Sequence, residues 1–195
     1  MKEAFSKTAS FVSPGEYLQR ERAAQERSEY REGRVFAMAG ASRNHNRIVT
    51  NISSSLNVQL KSRDCNNYSS DMRVSLGGGK RYVYPDVVVT CGREEFEDEK
   101  HDTLLNPVVI VEVLSPSTEA HDRGEKFFYY QSIPSLEEYV LVSQERKRLE
   151  IFRRREDGSW AYRALPSEAA VLDLESIDCV LIMDEVYAKV EGEEV

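Results

Sequence analysis

The apolar positions change their period several times along the chain, and each change predicts an element. Ser13-Pro14-Gly15-Glu16 combines an N-cap serine, a proline at the first helical position and a capping-box glutamate, so a helix is predicted from there to about Arg27. GRVFAMAG (33–40) reads as a short strand closing on glycine. Beyond Ser42, a helix cap, Ile48, Ile52, Leu56 and Leu60 recur at i+4 and predict a second helix ending near Ser62. The period then shortens to that of strands. MRVSL (72–76) and RYVYPDVVVTC (81–91) flank Gly77-Gly78-Gly79, a hairpin signal, and Pro85 sits where strand pairing tolerates a missing donor. GREEFEDEKHDTLLN (92–106) reads as a charged loop. VVIVEVL (108–114) follows, with the apolar content of a strand buried on both faces. SPST (115–118) ends this 107–114 strand, a helix follows from about His121 to Gln131, and Ile133-Pro134-Ser135 stops it. LEEYVLVS (136–143) is the next strand. RKRLEIFRRRE and SWAYRAL flank Asp157-Gly158, a short-range hairpin signal. A strand around Cys179 to Ile182 and a short helix, DEVYAKV, close the pattern. This order predicts an α/β fold with a mixed β-sheet flanked by helices and an added β-hairpin. Residues 107–143 form a right-handed parallel crossover in this reading.

Composition narrows the class. The 195 residues suffice for a single domain, 1–195, with a substantial core. No apolar run approaches the roughly 20 residues of a membrane helix, and MKEAFSKTASF lacks the apolar core of a secretory signal, so a cytoplasmic protein with no membrane partner is expected. Cys65, Cys91 and Cys179 are odd in number and far apart, which predicts reduced, mostly buried thiols. The net charge of −8 argues against a coat protein for nucleic acid, while leaving room for an enzyme with a local basic groove.

The chemistry starts with Glu112 inside the apolar strand and Asp86 in YPDVVVT. A carboxylate removed from water costs several kcal/mol unless it is paired. Asp86 alone is also compatible with a turn residue beside Pro85. Two carboxylates on neighbouring strands repel each other, and a divalent cation between them removes the conflict. Such oxygen donors suit Mg²⁺ or Mn²⁺. The structural alternative is an Arg or Lys partner for Glu112. Asp122, Lys126 and Tyr130 stand at i+4 spacing on one helix face, flanked by Phe127 and Phe128, which should pin the helix to the sheet. A crossover helix packs over its strand, so Lys126 is expected to reach Glu112. A lysine there can orient a metal-bound water and stabilise charge on a phosphate. Other patterns lead to blander readings. Ser115 and His121 lack a nucleophile elbow around them, and the three glycines precede a strand rather than a helix. Asp71 reads as structural. Arg146-Lys147-Arg148 and Arg153-Arg154-Arg155 read as a charged, solvated edge, or as a grip on a phosphate backbone.

These residues resemble the PD-(D/E)XK nuclease superfamily, with its restriction-endonuclease-like fold. More closely, the chain is similar to a widespread bacterial family of uncharacterised restriction endonucleases, very numerous in cyanobacteria. The pieces that carry the likeness are Glu29-Tyr30 with Gly33, MAGAS (38–42), His45, YPDVVV (84–89), VEVLSPST (111–118), Asp122 with Lys126, and YVLVS (139–143). The resemblance implies a Mg²⁺- or Mn²⁺-dependent endonuclease acting on nucleic acid, with DNA the common substrate, in which Asp86 and Glu112 are the metal ligands. The superfamily's usual lysine position is Leu114 here, and the resemblance moves that role to Lys126. Glu29, near the end of the predicted first helix, matches a further acid of such sites, although QERSEYRE could equally be a solvated face. His45 matches a family position suited to a phosphate contact or a base. Family analogy also implies a homodimer through the hairpin and C-terminal strand. The loss of lysine at Leu114 and the acidic balance leave a rival reading, a nucleic-acid-binding or protein-interaction module on the same fold with weakened cleavage.

Overall fold

A computed structural model of the protein describes residues 11–116, 118–165 and 170–192. The N-terminal stretch 1–10 read for a signal sequence, and Ser117 of the strand-ending SPST, lie outside the described residues.

Helix α1 (Pro14–Ala23) starts where predicted, with Ser13 accepting from the Glu16 amide. It ends earlier than Arg27. Ala24 is extended, and the Glu21 carboxylate turns back to accept from the amide and hydroxyl of Ser28 and from the Tyr84 hydroxyl. That tertiary anchor frees the next residues to pair as a hairpin, β1 (Ser28–Arg31) with β2 (Arg34–Ala37). Helix α2 (Arg43–Leu60) carries its buried i+4 stripe as expected, with Ser42 as the cap.

Strand β3 (Cys65–Ser69) was not foreseen. CNNYS has little strand propensity, and its conformation comes from pairing along its whole length. β4 (Arg73–Leu76) and β5 (Arg81–Val83) form the glycine hairpin. Gly77, Gly78 and Gly79 all take positive φ, the region only glycine adopts freely. β5 ends before Pro85, and β6 (Val87–Cys91) begins after Asp86. The charged loop holds one short strand, β7 (Thr103–Leu104). β8 (Val109–Leu114) is buried at all six positions. Helix α3 (Glu119–His121) runs through one π-helical turn, Asp122–Lys126, into α4 (Phe127–Tyr130). β9 (Glu138–Ser143) lies parallel to β8, as the crossover requires. β10 (Leu149–Arg154) and β11 (Trp160–Leu165) form the Asp157-Gly158 hairpin. β12 (Val171–Leu174), unforeseen, pairs with β13 (Cys179–Ile182), and α5 (Met183–Val186) follows.

The strands build two main sheets. One has the order β2-β1-β5-β4-β7 and the other β11-β10-β9-β8-β6-β3. Strand alternation divides the core. Val109, Val111 and Val113 pack with α2, β13 and α5, whereas Ile110 and Leu114 face Tyr130 and Tyr139 on the opposite side. Glu112 shares parity with Ile110 and Leu114. A third cluster stacks Tyr17, Tyr30 and Tyr82 beneath α1.

The expected set of reduced thiols is corrected in part. Cys65 and Cys91 stand directly opposite each other on β3 and β6 and are joined as a disulfide, while Cys179 is a buried free thiol. Their separation of 26 residues carries no signature, and their proximity exists only once β3 pairs with β6. The basic runs are corrected too. Arg153 binds Glu138 and Glu175, Arg148 pairs with Glu150, Lys147 pairs with Asp184, and Arg154 donates to the carbonyls of Leu136, Gln131 and Ile133. Those four residues are intramolecular clamps, whereas Arg146 and Arg155 are exposed as a solvated edge would have them. Phe127 packs among Tyr139, Phe152 and Trp160, but Phe128 is exposed and pins nothing.

Candidate active site

Five segments deliver acids and bases to one place. Val87 pairs with Val111, so Asp86, one residue before β6, aligns with Glu112 on β8. Glu112 points to the side of the sheet that faces the π-helical turn, and Asp86 lies at the end of the sheet beside the start of α2. Asp86 Oδ2 accepts from the Val113 amide at 2.7 Å and lies 3.2 Å from His45 Nε2, which reaches in from the first turn of α2. Glu112 is only 3% exposed. Its Oε1 lies 2.8 Å from Lys126 Nζ and accepts from the Tyr130 hydroxyl at 2.7 Å. The expected reach of Lys126 to Glu112 is thus observed, and Tyr130 joins it from the same helix face.

Lys126 is surrounded by acids. Besides Glu112, its Nζ lies 3.5 Å from Glu29 Oε1 and 3.5 Å from Asp122 Oδ1. Glu29 comes from β1 of the other sheet, not from the end of α1 as expected. The helix ends before it, and strand alternation sends Tyr30 into the tyrosine cluster and Glu29 to the opposite face. Arg31 donates to Glu29 Oε2 at 2.7 Å. The π-helical turn matters here. One extra residue in the turn is accommodated while both Asp122 and Lys126 stay buried over Glu112.

The electrostatics follow from burial. Burial opposes the charge on Lys126, but Glu112, Glu29 and Asp122 together outweigh it and hold the ammonium pKa above its ordinary value. Burial pushes the Glu112 carboxyl up to about 8; Lys126 opposes the shift, whereas Asp86 and Asp122 add to it. Glu29 is also penalised by burial, yet Lys126 and Arg31 bring it below the usual glutamate value. Lys126 is therefore held as a cation, and burial favours the protonated form of Glu112. Three acids, Glu29, Glu112 and Asp122, gather around Lys126, Arg31 binds Glu29, and Asp86 adds a further acid beside Glu112.

This excess of carboxylate suits a bound cation. In Asp86 and Glu112 the engaged oxygens are Oδ2 and Oε1; Oδ1 and Oε2 take no hydrogen bond from a described residue. These are hard oxygen donors, the chemistry Mg²⁺ and Mn²⁺ prefer. No cluster of three or more His, Cys, Asp or Glu side chains arranged for a metal occurs among the described residues. Two such donors would leave most positions around a cation to water.

Other buried acids show what a purely structural one looks like. Glu138 is held by Arg153, by the Ser176 hydroxyl and by the amides of Glu175 and Ser176. Glu150 takes a two-pronged Arg123 and the Tyr162 hydroxyl. Both sit within apolar strand sequence, the signal that singled out Glu112, and both were overlooked. Asp71 pairs with Arg27 at the surface. Ser115 shares a hydrogen bond with Thr118, and His121 faces Glu125; among the described residues these contacts do not form a serine triad. Leu114, at the superfamily's usual lysine position, is buried in the apolar core.

Residues 14–180 match the family model Uma2, described as “Putative restriction endonuclease”. The chain belongs to the Uma2 family. Two proteins of Synechocystis sp. are similar along nearly their full length. The uncharacterized protein sll1609 is 37% identical over 85% of this chain and 94% of its own. The uncharacterized protein slr1290 is 37% identical over 94% of this chain and 96% of its own. Among solved structures, a crystal structure from Anabaena variabilis, titled a “putative nuclease belonging to DUF820”, superposes with a TM-score of 0.76. It covers 92% of this chain and 99% of its own at 16% identity, which establishes the shared fold. The expected restriction-endonuclease-like fold, α/β with a mixed sheet and an added hairpin, is the fold observed.

Proposed function

We propose that this Uma2 protein is a metal-dependent nuclease that hydrolyses phosphodiester bonds, with DNA as its substrate. The observation that carries the reading is the convergence of Asp86, Glu112 and Lys126, from three separate elements, at one end of β8. Asp86 and Glu112 would hold Mg²⁺ or Mn²⁺, which when bound would stabilise phosphoryl charge and lower the pKa of a coordinated water.

The protein's own groups perform the remaining work. Lys126, permanently charged and braced by Glu29 and Asp122, presents positive charge where a phosphate oxygen gains negative charge. Tyr130 and Lys126 fix Glu112 through one oxygen, and the Val113 amide and His45 fix Asp86 through one oxygen. Each carboxylate is thereby oriented before any ligand arrives, which lowers the reorganisation needed on binding. Lys126 stands in for the lysine absent at position 114.

The test is calorimetric titration of Mn²⁺ into the wild type, Asp86→Ala and Glu112→Ala, followed by Mg²⁺-dependent cleavage of single- and double-stranded DNA. The expected result is binding in the wild type that both variants lose, with cleavage that Lys126→Met also abolishes. An absence of metal binding at millimolar concentration, with or without DNA, would overturn the reading. Metal binding without turnover on any nucleic acid would instead support the weakened module, the reading that Leu114 favours.

A further inference from the structure

β2 is the outer strand of its sheet, and all four of its residues are exposed. Phe36 stands opposite Glu29 in the β1–β2 ladder, so the two share a face. That face is the one turned to Lys126. The Arg31 guanidinium lies over the Phe36 ring, 4.7 Å from its centroid, while also donating to Glu29. A continuous line therefore runs from Phe36 through Arg31 and Glu29 to Lys126 and Glu112. At its outer end Phe36 remains 41% exposed. Isolated exposed aromatics are common. This one is held from one side by an arginine that is itself tied to the site.

Charge gives the ring its significance. The chain carries a net charge of −8, so the charge of the whole molecule does not favour a phosphate backbone. Stacking of bases on aromatic rings needs no net charge and tolerates any sequence. It does require a base that is not stacked in a duplex. We infer that Phe36, steadied by Arg31, is the platform on which one unpaired nucleobase stacks when the phosphate of that strand lies at Lys126. The substrate class is accordingly single-stranded or frayed nucleic acid. The inference rests on the nuclease reading and narrows it.

The experiment is fluorescence anisotropy of labelled oligonucleotides with the full chain, Ca²⁺ replacing Mg²⁺ so that binding is read apart from cleavage. The probes are oligo(dT), the same strand with abasic sites, oligo(rU) and a blunt DNA duplex. The wild type is expected to bind oligo(dT) or oligo(rU) more tightly than the abasic strand or the duplex. Phe36→Ala should bind the base-bearing strand about tenfold more weakly and the abasic strand unchanged, and Phe36→Trp should restore binding. Equal binding by wild type and Phe36→Ala, or an equal loss on both strands, overturns the platform and leaves the nuclease reading intact. Failure of the wild type to bind any probe overturns both. A wild-type dimer in sedimentation that becomes monomeric in Phe36→Ala would make the ring an interface between copies, and also overturns the platform.

Discussion

Glu112 differs from the other buried acids of this chain in what surrounds it. Glu138 and Glu150 each meet arginine in a geometry that satisfies them, whereas Glu112 shares a single lysine with Glu29 and Asp122. Removing that lysine leaves a buried acid without its cation. Lys126→Met should therefore cost about 3–5 kcal/mol in metal-free urea denaturation, and Glu112→Gln much less, because breaking one side of a buried pair strands the other. A loss under 1 kcal/mol for Lys126→Met would mean that the acids do not depend on it. The pH dependence has a defined sign. With Glu112 pushed up to about 8 from 4.5, the folded chain binds more protons than the unfolded one between those values. Its contribution to stability then falls as pH rises through that window, and Glu112→Gln should flatten the slope of urea-midpoint measurements there. Much of this site was legible in the sequence. Asp86 stood out as an acid in the apolar stretch YPDVVVT, Glu112 as an acid inside an apolar strand, and Lys126 through a spacing that puts it over that strand. The His45–Asp86 contact was not, because it depends on how the start of α2 lies across the end of the sheet. Nor was the difference between Glu112 and its structural counterparts, since partners such as Arg123 and Arg153 are distant in sequence.

Elements with a strong period of their own were foreseen, and those created by their neighbours were not. α2 and β8 announce themselves through i+4 spacing and an unbroken apolar run. β3 has neither, and β7 is two residues inside an acidic loop. α1 has helical sequence to Arg27, but the return of Glu21 to Ser28 and Tyr84 stops it at Ala23. The disulfide belongs to the same class, for it exists because β3 lies in register with β6. Its loop of 26 residues predicts a contribution to stability of about 3 kcal/mol by restriction of the unfolded chain. Urea titrations with and without dithiothreitol should show that loss, and Cys65→Ala/Cys91→Ala should reproduce it without responding to the reductant. Because β6 follows directly on Asp86, the reduced protein also tests how far this edge of the sheet holds the site. Unchanged Mn²⁺ affinity after reduction would show that the β6–β8 pairing positions Asp86 by itself.

At the scale of the molecule, the two sheets meet around an unbalanced cluster of charge. The six-stranded sheet supplies Glu112 and, just before β6, Asp86; the five-stranded sheet supplies Glu29 and Arg31; and the crossover supplies Asp122 and Lys126. No helix among the described residues is long and apolar enough to cross a membrane. In the metal-free protein the excess of carboxylate sits inside the fold, where repulsion is poorly screened. A cation held there therefore stabilises the whole chain and not only the site. Binding confined to the folded state adds RT ln(1 + [L]/Kd), about 2.7 kcal/mol at a hundredfold excess over Kd. For a chain of this size that raises Tm by roughly 5–10 °C. Calorimetric scans in Mn²⁺ and in EDTA should show this rise in the wild type and its loss in Asp86→Ala. Glu112→Gln should show a smaller rise, because the amide keeps an oxygen donor while losing its charge. The control is NaCl at matched ionic strength. Surface charge repulsion is relieved equally by any salt, whereas a site between Asp86 and Glu112 responds to the divalent ion at concentrations where sodium has no effect. If sodium raised Tm as much as Mn²⁺ did, the carboxylates would be neutralised collectively by screening, and the metal site would have no physical basis.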